Sequence, residues 1–125
     1  MICVGFLEEI IFRGFLFKMM AKDNVNTAII VSSLTFGIGH IINLFNGAAL
    51  IPTLIQVCYA VAGGYLFVII FQKGKSLWPC IIAHACINAS SIFGIENIIS
   101  TYIAPVFLIL ISVSYAVYLR KRIIV

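Results

Sequence analysis

Five long apolar segments constrain the fold of this chain more strongly than any other feature of its sequence. Each is 17 to 24 residues long, and they cover residues 1–17, 25–45, 48–71, 77–93 and 101–119. A helix needs about 20 apolar residues to cross a bilayer core of about 30 Å, with a range of about 17 to 25. The alternation of polar and apolar residues that is typical of a membrane barrel is absent from the sequence. We therefore predict an integral membrane protein with an all-α fold, a polytopic helical bundle of about five transmembrane helices.

The composition excludes an ordinary soluble domain. The chain is 63% hydrophobic and only 10% charged, whereas soluble domains are about 45 to 50% apolar. No internal repeat, low-complexity stretch or shift in composition divides the sequence. We therefore predict that residues 1–125 form a single transmembrane domain.

The polar connectors predict how the helices are oriented. Lys and Arg follow the first, third and fifth segments, whereas the connectors after the second and fourth segments contain neither residue type. The basic residues are Lys18, Lys22, Lys73, Lys75, Arg120, Lys121 and Arg122. Because cytoplasmic connectors carry an excess of Lys and Arg, we place these three clusters, and with them the C-terminus, on the cytoplasmic side. The net charge of +4 is then a topology signal, and we expect no nucleic-acid partner because no aromatic and basic surface is visible.

Three charged residues interrupt the first apolar segment in the stretch EEIIFRG. An ionised side chain at the centre of a membrane helix costs about 2.5 to 3.5 kcal/mol on insertion scales, so these residues need partners. Glu9 and Arg13 are four residues apart, share a helix face and can form a charge-assisted pair. Glu8 lies about 100° around the helix and has no local partner, which makes it a candidate general acid or base. The alternative is that all three residues only lock helices together.

Polar residues also occur in the second and fourth segments. In FGIGH, Phe36 and His40 share a helix face, and in HACINAS one polar stripe contains His84, Asn88 and Ser91. Buried His, Asn and Glu side chains each need a partner, and the least costly arrangement brings them together near the middle of the bilayer. Glycine thins a membrane helix, so that another backbone can approach it. We expect such close approaches at Gly37, Gly39, Gly63 and Gly64.

Two kinds of hydrolytic chemistry are compatible with these residues. A glutamate, two histidines and an amide can orient a water molecule and stabilise an oxyanion. Glu8, His40 and His84 can also hold a Zn²⁺ ion with an open position, although the H-E-x-x-H motif is absent.

Two alternatives involve no hydrolysis. A proton-coupled transporter would use the same residue types as a proton relay. A non-catalytic membrane protein would use them for packing or for binding a partner.

Taken in order, the motifs resemble those of the CAAX protease and bacteriocin-processing family, also called Abi, of intramembrane endopeptidases. The matching residues are Glu8 and Glu9 with Arg13, Phe36 with His40, and His84 with Asn88. The resemblance implies a helical membrane fold with a catalytic cavity between the helices. By carry-over, Glu8 would activate the attacking water with help from His40. His84 and Asn88 would stabilise the oxyanion, and Arg13 would orient the glutamate pair.

The resemblance also implies substrates and a location. Eukaryotic members remove the C-terminal tripeptide of prenylated C-a-a-X proteins, and bacterial members are linked to bacteriocin maturation and self-immunity. The expected partners are the lipid bilayer and a peptide or protein substrate, and the expected location is a bacterial cell membrane. Family members usually have further helices before the first motif, whereas here the first glutamate is residue 8. We therefore expect either a compact member completed by assembly into a homo-oligomer, or a truncated and inactive one.

Overall fold

The computed structural model describes residues 2–123, which form five helices joined by short turns. They are α1 (residues 2–20), α2 (Val25–Phe45), α3 (Leu50–Gly74), α4 (Trp78–Ile92) and α5 (residues 99–123). Two stretches have the wider turns of a π-helix, Ile10–Phe17 in α1 and Ile99–Ile103 in α5. No strand occurs between residues 2 and 123. The predicted all-α bundle is confirmed, while the predicted start of the first segment at Met1 lies outside the described residues.

The five helices differ in whether they are long and apolar enough to cross a membrane. Three are long and apolar enough to span one, namely Val25–Phe45, Leu50–Gly74 and Ile99–Arg122. The α1 helix has the length, but it carries Glu8, Glu9, Arg13 and Lys18. The α4 helix has 15 residues, and at about 1.5 Å per residue its length of about 22 Å falls short of a bilayer core. Both α1 and α4 therefore depend on packing against their neighbours.

The helix ends follow signals in the local sequence. Asn24 caps α2, because its Oδ1 accepts a hydrogen bond from the Thr27 N–H at 3.0 Å. Pro79 lies in the first turn of α4, where a missing N–H breaks no helical hydrogen bond. Lys75 follows the end of α3 in the left-handed conformation, with φ of 57°, and donates its N–H to the oxygen of Phe71 at 2.8 Å.

The α3 helix lies at the centre of the bundle. It packs along both α2 and α5, while α1 packs against α4 and α2. The buried core that these contacts create contains Phe17, Ala28, Ile29, Phe67, Val68, Ile69, Phe71, Cys80 and Ala116. All five helices therefore contribute to one hydrophobic core.

Two glycines allow α2 and α3 to approach each other closely. An added Cβ at Gly37 would lie 2.8 Å from a backbone nitrogen of α3, and one at Gly64 would lie 3.4 Å from a backbone oxygen of α2. The close approaches predicted at these two positions are confirmed. Those predicted at Gly39 and Gly63 are wrong, because among the described residues an added Cβ would meet nothing within 4 Å at either position.

The basic residues gather at one end of the bundle. The Nζ of Lys18, near the end of α1, lies 5.6 Å from the ring centroid of Phe71, near the end of α3. Arg120, near the end of α5, donates to Oδ1 of Asn26 at 2.7 Å and to the hydroxyl of Tyr65 at 3.3 Å. The ends of α1, α3 and α5 thus share one side, as the connector pattern predicts. That this side is cytoplasmic stays a prediction.

Candidate active site

A buried ion pair on α1 forms the base of the candidate site. Glu9 and Arg13 are both 0% exposed, and Nη1 of Arg13 donates to Oε1 of Glu9 at 3.2 Å. The Nη2 of Arg13 donates to the backbone oxygen of Gly64 on α3 at 2.9 Å. Arg13 therefore joins α1 to α3, and the pairing predicted from the four-residue spacing is confirmed.

The π-helical stretch that contains Arg13 is anchored to α2. The hydroxyl of the buried Ser32 donates to the backbone oxygen of Phe12 at 3.2 Å. A π turn displaces backbone carbonyls from the usual α-helical pattern, and such turns occur frequently at functional sites. The local geometry of α1 around the ion pair is therefore supported by a neighbouring helix.

Aromatic rings enclose the guanidinium of Arg13. Its Cζ lies 4.4 Å from the ring centroid of Phe36 on α2 and 5.6 Å from that of Phe67 on α3. Cation–π contacts of this kind contribute about 2 kcal/mol when both groups are desolvated. A side chain at Gly64 would intrude, because an added Cβ would lie 3.1 Å from Nη2. The surroundings thus hold the guanidinium in one place and replace part of its lost hydration.

His84 on α4 contacts both glutamates of α1. Its Nδ1 lies 2.9 Å from Oε1 of Glu9, and its Nε2 lies 3.3 Å from Oε2 of Glu8. Each contact between a ring nitrogen and a carboxylate oxygen requires a proton. In the cluster of Glu8, Glu9, Arg13 and His84, the Arg13 guanidinium offsets a carboxylate charge, and the hydrogen-bonding contacts of His84 replace part of the hydration that both carboxylates lose, which makes the burial tolerable.

Phe36 links the two histidines of the site. Its ring packs edge-on against His84, with 5.4 Å between centroids, and against His40, with 5.6 Å between centroids. The Nδ1 of His40 lies 3.1 Å from the backbone oxygen of Phe36. Within residues 2–123 the Nε2 of His40 has no hydrogen-bond partner. The Phe-x-x-x-His spacing therefore fixes the His40 ring and leaves one nitrogen available.

A cavity of about 140 Å³ lies beside the cluster. Three of the predicted residues, His40, His84 and Asn88, line it. Gln56 and Tyr59 of α3 line it as well, and the sequence reasoning missed both. The signal that could have found them is the presence of two polar side chains three residues apart in an otherwise apolar helix.

A second cavity, of about 370 Å³, adjoins the first. The two share Gln56, Tyr59 and Ser91 in their linings. The second cavity extends to Glu96, in the turn between α4 and α5. At the shared wall, Nδ2 of Asn43 donates to Oε1 of Gln56 at 2.8 Å. Together the cavities offer more room than a single water molecule needs, about 30 Å³ of liquid volume.

The predicted site residues therefore fall into two overlapping groups. Glu8 and Glu9 contact His84 directly and Arg13 is joined to it through Glu9, whereas His40 and Asn88 share the cavity with His84. An added Cβ at Gly5 would lie 3.4 Å from Cγ of His84 and 3.6 Å from Nδ2 of Asn88, so α1 also lies close to the Asn88 side of the cavity. The contact between His84 and Glu9 was not predicted from the sequence.

Zinc binding by Glu8, His40 and His84 stays a prediction, which a metal analysis of the purified protein tests. No group of three His, Cys, Asp or Glu side chains within residues 2–123 could hold a metal ion. Both ring nitrogens of His84 face carboxylates, Nδ1 that of Glu9 and Nε2 that of Glu8.

The comparisons with known proteins bear on the same residues. A family model described as "Type II CAAX prenyl endopeptidase Rce1-like" matches residues 1–90. That range contains every residue of the candidate site from Glu8 to Asn88. No curated protein and no solved structure matches the chain. The resemblance inferred from the three motifs is confirmed by the family match.

Proposed function

Because the chain belongs to the Rce1-like family of type II CAAX prenyl endopeptidases, we propose that it hydrolyses peptide bonds within the membrane. The family consists of endopeptidases, and the membership of this chain in it supports a hydrolytic role in the bilayer. The observation that carries the proposal is the contact of His84 with both glutamates beside a cavity. A carboxylate and an imidazole in direct contact are the groups that general acid–base hydrolysis uses.

Glu8 is the proposed general base. Its side chain is 30% exposed, whereas that of Glu9 is 0% exposed, so water reaches only the first of the two carboxylates. In the proposed reaction Glu8 accepts a proton from water, with His40 helping to orient that water. The water oxygen then bonds to the carbonyl carbon of the scissile peptide. The proton passes from Glu8 to the leaving nitrogen as the C–N bond breaks.

His84 and Asn88 are the proposed oxyanion stabilisers. Both line the cavity, and both carry N–H groups that can donate to an oxygen. When Glu8 takes up its proton, its attraction for the His84 Nε2–H weakens. That N–H then becomes available for the negative oxygen of the tetrahedral intermediate.

Glu9 and Arg13 are proposed to position the reacting groups. Glu9 holds Nδ1 of His84 at 2.9 Å and is itself held by Arg13, which is anchored on Gly64. This chain of contacts fixes the orientation of the His84 ring. Because the imidazole is already oriented, it loses little conformational entropy on reaching the transition state. Prior positioning of this kind supplies much of an enzyme's rate enhancement.

The substrate is proposed to be a peptide lying in the two adjoining cavities, with its scissile bond beside His84 and Asn88. Three finer roles follow from the family and its bacterial branch: processing of C-a-a-X proteins, maturation of a bacteriocin, and self-immunity. A panel of lipidated and unlipidated peptides distinguishes the first role from the other two.

The test compares wild-type protein with Glu8→Gln after reconstitution in lipid, using mass spectrometry to detect cleavage of the peptide panel. Loss of a general base lowers hydrolysis by about 10²- to 10⁴-fold. The matched control is Asp23→Asn, which makes the same carboxylate-to-amide change at an exposed position between α1 and α2. We expect the control to cleave as the wild type does.

Two results would contradict the proposal. A folded wild type that cleaves no peptide of the panel would favour a non-catalytic membrane binding protein. Full activity of the Glu8→Gln variant would remove Glu8 from the chemistry even if cleavage occurs.

A further inference from the structure

A cavity of about 410 Å³ lies at the basic end of the bundle, where α1 and α3 finish. Its lining comprises Phe17, Lys18, Ala21, Lys22, Phe71, Gln72 and Lys75. None of these residues lines the cavities of the candidate active site. The cavity is therefore a separate feature that the proposed hydrolysis does not use.

Three positive charges converge on this cavity from two helices. Lys18 lies at the end of α1, Lys22 in the turn that follows it, and Lys75 directly after α3. Within residues 2–123 none of the three ammonium groups forms an ion pair with a carboxylate, since the ion pairs found there all belong to the Glu8, Glu9, Arg13 and His84 cluster. Like charges gathered without counter-charges repel one another, and an anion between them removes that repulsion.

The backbone at Lys75 is unusual. Its φ of 57° is left-handed, and it is the only residue other than glycine with positive φ within residues 2–123. Helices commonly end on a glycine or asparagine in this conformation, because a Cβ is disfavoured there. Here Gly74 precedes the position and a lysine occupies it, which places an ammonium group at the cavity.

Apart from the three lysines and the polar Gln72, the walls of the cavity are apolar. Phe17 and Phe71 are buried and pack edge-on with 5.9 Å between ring centroids. At the same end of the bundle, Met19 and Trp78 are each 66% exposed. Tryptophan at a helix end beside basic residues is typical of the membrane interface. The cavity thus combines charges for an anionic head with apolar surface for what is attached to it.

We propose that this cavity binds the phosphate headgroup of an anionic phospholipid, with Lys18, Lys22 and Lys75 contacting the phosphate. Basic pockets between membrane helices are known to bind such headgroups. The exposed Met19 and Trp78, at the same end of the bundle, offer apolar surface to the acyl chains of that lipid. This inference does not depend on the proposed hydrolysis.

The test measures which lipid the protein retains. The full chain is reconstituted in nanodiscs containing equimolar phosphatidylcholine and phosphatidylglycerol, extracted in detergent, and its bound lipids are counted by mass spectrometry. We expect wild type to retain phosphatidylglycerol selectively. The triple variant Lys18→Gln/Lys22→Gln/Lys75→Gln should lose that selectivity, by about fivefold for each lysine removed.

A matched control removes the same charge elsewhere at this end of the bundle. The variant Lys73→Gln/Lys121→Gln/Arg122→Gln neutralises three exposed basic residues that do not line the cavity. It should retain phosphatidylglycerol as wild type does. Equal loss in both triple variants would overturn the proposal in favour of a diffuse attraction of the whole basic face. Equal retention of phosphatidylglycerol by both triple variants would also overturn the proposal.

Two further measurements keep the test decisive. Lys75→Gly removes one charge at a backbone position that glycine accepts without strain, so it should lower lipid selectivity without lowering thermal stability. Inorganic phosphate, added to nanodiscs of phosphatidylcholine alone, distinguishes a lipid headgroup from a free anion. Tight binding of phosphate alone, with no retention of phosphatidylglycerol, would overturn the lipid assignment.

Discussion

Adding one methyl group at Gly64 should destabilise the fold and disturb the candidate active site together. An added Cβ would lie 2.9 Å from Cδ1 of Phe36 and 3.1 Å from Nη2 of Arg13. Overpacking of this kind costs about 1 to 3 kcal/mol. Displacing Nη2 of Arg13 from the Gly64 oxygen would remove a hydrogen bond from a charged donor, at about 1.5 to 3 kcal/mol. The higher helix propensity of alanine returns about 1 kcal/mol, so Gly64→Ala should lower the free energy of unfolding by about 2 to 5 kcal/mol.

The neighbouring Gly63 provides a matched control for this substitution. Within the part of the chain that the structure describes, an added Cβ at Gly63 meets nothing within 4 Å, so Gly63→Ala keeps only the propensity gain and should be neutral or slightly stabilising. The assay is denaturant unfolding of both variants in the same detergent, followed by circular dichroism. Equal stability of the two variants would refute the reasoning, because it would mean that Arg13 and Phe36 move aside at no cost.

Two further predictions concern the charged cluster. Glu9→Gln should lower the free energy of unfolding by about 3 to 5 kcal/mol, because it leaves the buried Arg13 without its counter-charge. The exposed control Glu96→Gln should change the free energy of unfolding by less than about 0.5 kcal/mol. A Glu9→Gln variant as stable as the control would show that the pair contributes little. Because both nitrogens of His84 face carboxylates, we expect the purified protein to contain less than one zinc per chain by elemental analysis and its peptide cleavage to survive a chelator. One tightly held zinc per chain that is lost in His40→Ala would contradict this expectation.

The parts of the site that depend on a single helix could be predicted from the sequence. The pairing of Glu9 with Arg13 follows from their spacing, because residues four apart on one helix are neighbours wherever that helix packs. The ring contact between Phe36 and His40 follows in the same way. The helical fold itself follows from the need of every backbone group for an internal partner in lipid.

The parts that depend on how two helices are rotated against each other could not be predicted. Glu9 and His84 lie 75 residues apart, and the spacing on α1 says only which glutamate pairs with Arg13, not which one faces α4. The same limit explains the glycines: Gly63 and Gly64 are adjacent, but only Gly64 faces α2. Moving by one residue along a helix rotates the side-chain direction by about 100°. The rotation of each helix about its own axis relative to its neighbours therefore decides which residue faces them, and the sequence does not specify that rotation.

The contact between His84 and the two glutamates has a consequence for how the protein is made. During synthesis α1 leaves the ribosome well before α4, so of the partners that the structure shows for its glutamates only Arg13 is present at first. A helix with that charge balance partitions poorly into lipid by itself. Stable insertion of α1 should therefore wait for the later helices, and the order of translation makes α4 a partner that α1 needs in order to remain in the bilayer.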